Sequence, residues 1–377
     1  METCINLTDT SLMEIDVQTI LDSLNDGVYV CDRTRRVVYW SKAAERITGW
    51  TAEDMVGNYC FDHILAHVDK DGHKLCGKEH CPLHRAIVTG IPSKAPVLMF
   101  ALKKDGKRVP MLANVAPLRN ANGEIIGGVE SFQDASVLAT DLEKARAIQE
   151  IAMQYDLPAD ERIRFNTYYI PTGIVGGDYY AIAKLDEDRY GIMLADVMGH
   201  GIAAATYTMH LGALWNQYHL LLVNPVEFTS KLNNELVKVV KTDTSFATAI
   251  CGVVDLKRQI FRFTSAGAPH VLLMHADSTH EFFRRSGLPL AVMEDADYGE
   301  TDIELQEGDR LLLFSDGAIE IRNAEGEMLG YDGLLEFIKE QGYPVDDLDM
   351  QTLEENLLKR STGIRLEDDL TLVEVCL

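Results

Sequence analysis

Val175–Ala205, VGGDYYAIAKLDEDRYGIMLADVMGHGIAAA, is the stretch on which the reading of this chain turns. Two aspartates, Asp178 and Asp196, stand beside glycine clusters, with strand-forming residues between them and a small apolar helix after them. GIMLAD is a short apolar run closed by a charge, which predicts a buried strand that delivers Asp196 to the end of a sheet.

The same pattern recurs downstream. Asp316 ends LLLFSD and is followed by Gly317, and Asp368 and Asp369 immediately precede the strand LTLVEV. Ile163–Ile170, Tyr190–Leu194, Ala247–Asp255, Ile260–Ser265, Leu311–Phe314 and Leu370–Val375 read as strands; Gly199–Tyr218 and Phe228–Val240 read as helices. Strands carrying the core, with helices grouped between them, predict an α+β layered domain. Any one Gly-Gly-Asp, Ser-Asp-Gly or Asp-Asp is more often a turn than a ligand. Several carboxylates converging at one sheet rim would repel unless cations joined them, and hard oxygen ligands suit Mg²⁺ or Mn²⁺.

VGGDYY, LADVMGHGIAAA, FATAICGVVD, SAGAP, LLLFSDGAIE and DDLTLVEV occur in that order. This succession resembles the metal-dependent PPM-type serine/threonine phosphatases, in the bacterial branch of the stage II sporulation protein E and the activators of general-stress sigma-factor pathways. The resemblance implies an α/β-sandwich of two central sheets flanked by helices over residues 158–377. It makes Asp196 the carboxylate bridging two ions (Mn²⁺ or Mg²⁺), with Asp178 and the Val197 backbone carbonyl serving one ion and Asp316 and Asp368 the other. Asp369 is either a further ligand or a support behind the ligands. It further implies hydrolysis of phosphoserine or phosphothreonine by a metal-activated water, without a Cys or Ser nucleophile, on a small phosphorylated anti-anti-sigma-type protein. Two departures stand out: Val197 replaces a glycine common in eukaryotic relatives, and Ala266-Gly267-Ala268-Pro269 lacks the family's histidine, with His270 displaced. His200 reads as a loop-packing residue rather than the other candidate role, a general acid.

Upstream, Gly27–Cys31 and Val37–Trp40 predict a hairpin, Ser41 caps a helix through Ile47 that Gly49 ends, and Thr51 with Asp54 forms a capping box. Val97–Leu102, Arg108–Pro117 and Gly127–Phe132 predict three more strands. This order and the wording NDGVYVCDRTRRVVYWSKAAERITGW resemble the PAS family, implying a sensor of antiparallel sheet and short helices over residues 1–134. Trp40-Ser41 departs from it where many members carry asparagine. Within this region Cys60, Cys76 and Cys81 accompany His63, His67, His73, His80 and His84. Such a set suits zinc, an iron–sulfur centre or haem iron, against a plainer reading of buried thiols and exposed histidines. Residues 135–157 lack Gly and Pro, and Leu138, Leu142, Ala145, Ile148, Ala152 and Tyr155 form an apolar seam. That predicts a signalling helix pairing two protomers as a coiled-coil homodimer, the other reading being a helix packed on its own output domain.

A net charge of −24 argues against nucleic acid and against anionic membrane surfaces. The acidic N-terminus lacks a signal-peptide pattern and the seven cysteines are an odd number, so a cytoplasmic protein without structural disulfides is expected. Two other functions compete. A diguanylate cyclase shares the Gly-Gly-acidic turn, but Asp178-Tyr179-Tyr180 is not its continuation and SDG and DDLTL stay unexplained. A non-catalytic scaffold of the phosphatase fold would have no need of all four carboxylates.

Overall fold

The computed structural model describes residues 17–62, 65–77, 81–93, 95–153, 157–199, 201–239, 245–323, 326–345, 347–348, 353–360, 366 and 368–377. It divides into two compact units, Met1–Asp141 and Leu142–Leu377.

In the first unit, helix α1 (Val17–Ser23) precedes the hairpin of β1 (Gly27–Asp32) and β2 (Val37–Trp40). Helix α2 (Lys42–Thr48) starts where the Ser41 hydroxyl accepts from the Ala44 N–H and stops at Gly49, whose φ of 76° few other residues tolerate. The Thr51–Asp54 capping box opens α3 (Ala52–Met55), and Pro82 opens α4 (Pro82–Thr89). Strands β3 (Val97–Leu102), β4 (Arg108–Arg119) and β5 (Ile125–Asp134) complete an antiparallel sheet in the order β2-β1-β5-β4-β3. Tyr29, Trp40, Met111 and Phe132 pack with Cys31, Cys60 and Cys81 in its core.

Helix α5 (Ser136–Met153) follows β5 directly. Of the expected seam, Leu138, Leu142, Ala145 and Ala152 are half-buried. Ile148 is 57 % exposed and Ile151 70 %, whereas Gln149, 3 % exposed, and Met153 are buried within the second unit. Successive helical residues point about 100° apart, so Gln149 turns into the second unit while Ile148 beside it stays open to solvent. Tyr155 lies outside the described residues.

The second unit comprises β6 (Arg164–Ile170), β7 (Asp178–Lys184), β8 (Arg189–Val197), α6 (Ile202–Tyr218), α7 (Pro225–Val239), β9 (Ala247–Asp255), β10 (Ile260–Ala266), β11 (Val271–Met274), β12 (His280–Phe283), β13 (Glu300–Glu304), β14 (Arg310–Phe314), α8 (Gly330–Glu340), α9 (Leu353–Arg360) and β15 (Leu370–Cys376). The strands form two sheets, β13-β10-β9-β8-β7 and β12-β11-β14-β15-β6.

Period-two alternation in each strand builds the layers. Ile192 and Leu194 of β8 meet Leu311, Leu313 and Val373 of the other sheet in a core between the two. The opposite parity, Met193, Ala195 and Val197, packs under Trp215 of α6 and Phe228 and Leu232 of α7. Leu312, Phe314 and Leu372 likewise pack under Leu334 and Phe337 of α8 and Leu357 of α9. The result is a helix–sheet–sheet–helix sandwich. No described helix is long and apolar enough to cross a membrane.

Candidate metal centre

The strand parity that fills the core also aims the aspartates. Asp196 continues the Ile192–Leu194 face of β8 and lies directly across from Asp178 at the start of β7. Cross-strand partners share a face, so both carboxylates enter the layer between the sheets. Asp316 follows β14 and Asp368 precedes β15, which brings two further carboxylates in from the opposite sheet.

Asp178 is 1 % exposed. Its Oδ2 accepts from the Thr371 hydroxyl at 2.5 Å, while its Oδ1 is buried without a partner. Asp316 Oδ1 is buried and unpartnered as well. Burial pushes the Asp178 carboxyl well up, with the Asp196 charge adding to it. Asp196 is raised by burial and then by Asp316, Asp368 and Asp369. Asp316 is raised by burial and then by Asp368 and Glu320, an acidic neighbour that the sequence reading misses. Three buried carboxylates that resist ionising together are a site suited to positive charge.

Among the described residues, no three of these aspartates bring one oxygen each within 4.8 Å of one another. The buried, unpartnered oxygens and the all-oxygen donor set fit hard divalent ions. The Val197 carbonyl lies close against Gly177. A Cβ on Gly177 would lie 2.9 Å from it, so only glycine lets the two backbones approach. Gly317 is equally constrained, because a Cβ there would meet the Asp369 carbonyl at 2.0 Å.

Asp369 stands apart from the other four. Its Oδ1 accepts from the Thr172 N–H at 2.6 Å and hydroxyl at 2.9 Å, and its Oδ2 accepts from the Gly177 N–H at 2.5 Å. With three donors on it, this carboxylate holds the Thr172–Gly177 loop and does not face the other acids as an open ligand. From the other side, Gln149 of α5 donates through Nε2 to the Gly176 carbonyl and the Thr208 hydroxyl, both at 2.8 Å, and its Oε1 accepts from the Gly176 N–H at 3.2 Å. The loop that leads into Asp178 is therefore clamped by a C-terminal aspartate and a helix glutamine. Neither role is visible in a linear motif.

His270 stacks on Tyr331 with ring centroids 4.2 Å apart, which makes it a packing residue; His200 lies outside the described residues. In the first unit, burial pushes the Cys76 thiol up to about 11 and the Cys60 thiol higher still. Without a cation beside them that favours the protonated thiols. Among the described residues, Cys60, Cys76 and Cys81 do not gather into a group within 4.8 Å, and His63 and His80 lie outside those residues. The one group that does, Asp69, Asp71 and His73, is internally bonded, with Asp69 Oδ1 accepting from the Asp71 and His73 N–H groups at 2.9 Å each.

A family model described as Stage II sporulation protein E (SpoIIE) matches residues 186–377, and one described as PAS fold matches residues 21–139. The chain belongs to the stage II sporulation protein E family. The phosphoserine phosphatase RsbP of Bacillus subtilis (strain 168) is 31% identical over 183 residues, 48% of this chain and 45% of RsbP. The phosphoserine phosphatase RsbU of the same organism is 27% identical over 237 residues, 63% of this chain and 70% of RsbU. This chain thus spans less than half of RsbP. The SiaA-PP2C domain of Pseudomonas aeruginosa matches with a TM-score of 0.55 at 18% identity, covering 64% of this chain and 97% of that domain, a likeness of fold.

Proposed function

We propose that this chain is a sensor-controlled, metal-dependent protein serine/threonine phosphatase, acting on the phosphoserine or phosphothreonine of an anti-anti-sigma-type partner protein. The observation that carries the reading is the pair of buried carboxylate oxygens without a hydrogen-bond partner, on Asp178 and Asp316, among acids whose ionisation burial and neighbouring carboxylates oppose. The names of RsbP and RsbU, both phosphoserine phosphatases, support the substrate class.

Asp178, Asp196, the Val197 carbonyl, Asp316 and Asp368 would hold two divalent ions. When bound, such ions supply an acidified water and neutralise phosphoryl charge. The chain's own residues do the rest. The carboxylates fix where the charge sits, the glycine backbones at 176–177 and 317 leave room for it, and the inter-sheet layer keeps bulk water from the ligands' inner oxygens.

Control by the sensor would run through α5, which leaves the sensor strand β5 and carries Gln149 onto the Gly176 loop. The exposed stripe of Val137, Ile148 and Ile151 on that helix suits pairing with a second copy. The test is aryl-phosphate and phosphoserine-peptide hydrolysis with Mn²⁺ in wild type, Asp196→Asn and Asp316→Asn. Loss of more than about 100-fold in both variants is expected, since each removes a ligand. Unchanged activity in both would sink the assignment.

A further inference from the structure

Thr371 has no part in the reading above, yet it touches the site. It sits on β15 with the parity of Val373 and Val375, facing the layer between the sheets, and is 0 % exposed. Its hydroxyl donates to Asp178 Oδ2 at 2.5 Å. Its backbone is held from both sides by Ser315: the Thr371 N–H donates to Ser315 Oγ at 2.9 Å, and the Ser315 N–H donates to the Thr371 carbonyl at 3.0 Å. Asp178 lies on β7, the edge strand of one sheet, and Thr371 on an inner strand of the other. The hydroxyl is thus a tie between sheets at the rim where the carboxylates meet.

Valine has the shape of threonine and suits a buried strand better, because a hydroxyl without a partner is penalised in an apolar layer. The hydroxyl is explained by what it holds. With Oδ2 occupied, Asp178 can turn neither oxygen away, and Oδ1 is left as its one open ligand atom.

We infer that Thr371 is a positioning residue of the metal centre, fixing Asp178 as a one-oxygen ligand and tying metal affinity to the seating of the C-terminal strand. The inference rests on the two-ion reading and extends it to a residue that touches neither ion nor substrate.

The experiment titrates Mn²⁺ alone by calorimetry into full-length wild type, Thr371→Val, Thr371→Ser and Asp196→Asn, with thermal unfolding of each. Support of this kind behind a ligand is worth about 10–100-fold in metal affinity, so Thr371→Val should weaken Mn²⁺ binding by that factor. Thr371→Ser, which keeps the hydroxyl, should bind within about threefold of wild type. Loss of packing alone would affect Ser more than Val, the opposite order. Thr371→Val binding Mn²⁺ as tightly as wild type, or Thr371→Ser binding as weakly as a folded Thr371→Val, overturns the inference. If Thr371→Val does not fold, Thr371→Ala takes its place under the same criteria. Failure of wild type to bind Mn²⁺, or Asp196→Asn binding it like wild type, would instead overturn the metal-centre reading.

Discussion

Replacing Gln149 by methionine isolates the contact between the linker helix and the metal-site loop. The two side chains have similar length and methionine adapts to irregular space, so the change removes hydrogen bonds with little loss of packing. Three bonds disappear: Nε2 to the Gly176 carbonyl, Nε2 to the Thr208 hydroxyl, and the Gly176 N–H to Oε1. Each is worth about 0.5–1.5 kcal/mol net, and buried peptide groups left without partners cost about 1–3 kcal/mol. Allowing for water reaching the Gly176 backbone once the loop loosens, the loop loses about 2–3 kcal/mol of ordering energy. The loss is local. Asp369 still holds Gly177 and Thr172, and the sheets beneath keep their cores, so the melting temperature should move little.

That energy should surface where the loop is needed, in presenting Asp178. Since 1.4 kcal/mol is a factor of ten, 2–3 kcal/mol corresponds to a rise of roughly 30–150-fold in the Mn²⁺ concentration for half-maximal hydrolysis. The rate at saturating Mn²⁺ should change less, because the cation itself reorders the loop. The assay is aryl-phosphate hydrolysis across a Mn²⁺ series, with circular dichroism to confirm the fold. A Gln149→Met enzyme with wild-type half-saturation and wild-type rate would refute the reasoning, and with it the route of control through α5.

Three further outcomes follow from particular residues. Asp178→Asn should raise the melting temperature in EDTA, because it deletes a buried charge raised by desolvation, and should abolish the stabilisation that Mn²⁺ gives wild type; differential scanning calorimetry with and without metal checks both. In the sensor core, Glu130 is 2 % exposed, and burial raises its carboxyl from 4.5 to about 7. A raised acid holds its proton in the folded state while the unfolded chain has released it, so this contribution to stability is full below about pH 4.5 and fades as pH rises through 7. Wild type should therefore lose about 1.5 kcal/mol that Glu130→Gln does not, as read from urea unfolding of full-length protein between pH 5.8 and 8, the other half of the effect lying below that range. Ile148→Glu with Ile151→Glu should shift light-scattering mass toward monomer without lowering the melting temperature, since both side chains are exposed; an unchanged mass would remove the helix-paired dimer.

The ligand candidates are legible in the sequence because each is a local pattern: an apolar strand, an aspartate where it ends, and glycine where backbone must come close. The residues that set those ligands in place leave no such trace. Thr371 reads as one more β-branched residue in LTLVEV, and its partner Asp178 lies 193 positions away. Gln149 reads as a polar position on an amphipathic helix and becomes the best-bonded side chain on it only when the Gly176 loop arrives. Asp369 looks like a twin of Asp368, and the donors on Thr172 and Gly177 are what separate their roles. The cysteine-rich segment shows the converse, since thiols crowded in sequence are buried in the core and, among the described residues, do not gather into one group.

The two kinds of residue also differ in what they do for the fold. Asp178, Asp196, Asp316 and Asp368 lower its stability as long as their charges face one another, whereas Thr371, Ser315, Asp369 and Gln149 hold them there through neutral donors or backbone amides. A group that forces charges together without balancing them leaves the balancing to a ligand, so affinity for cations is stored in the positioning groups as much as in the ligands. Of these groups, Gln149 alone comes from outside the sandwich, on the helix that continues from the sensor sheet. A signal that turns that helix would reach the cation site by withdrawing one amide, with no ligand moved directly.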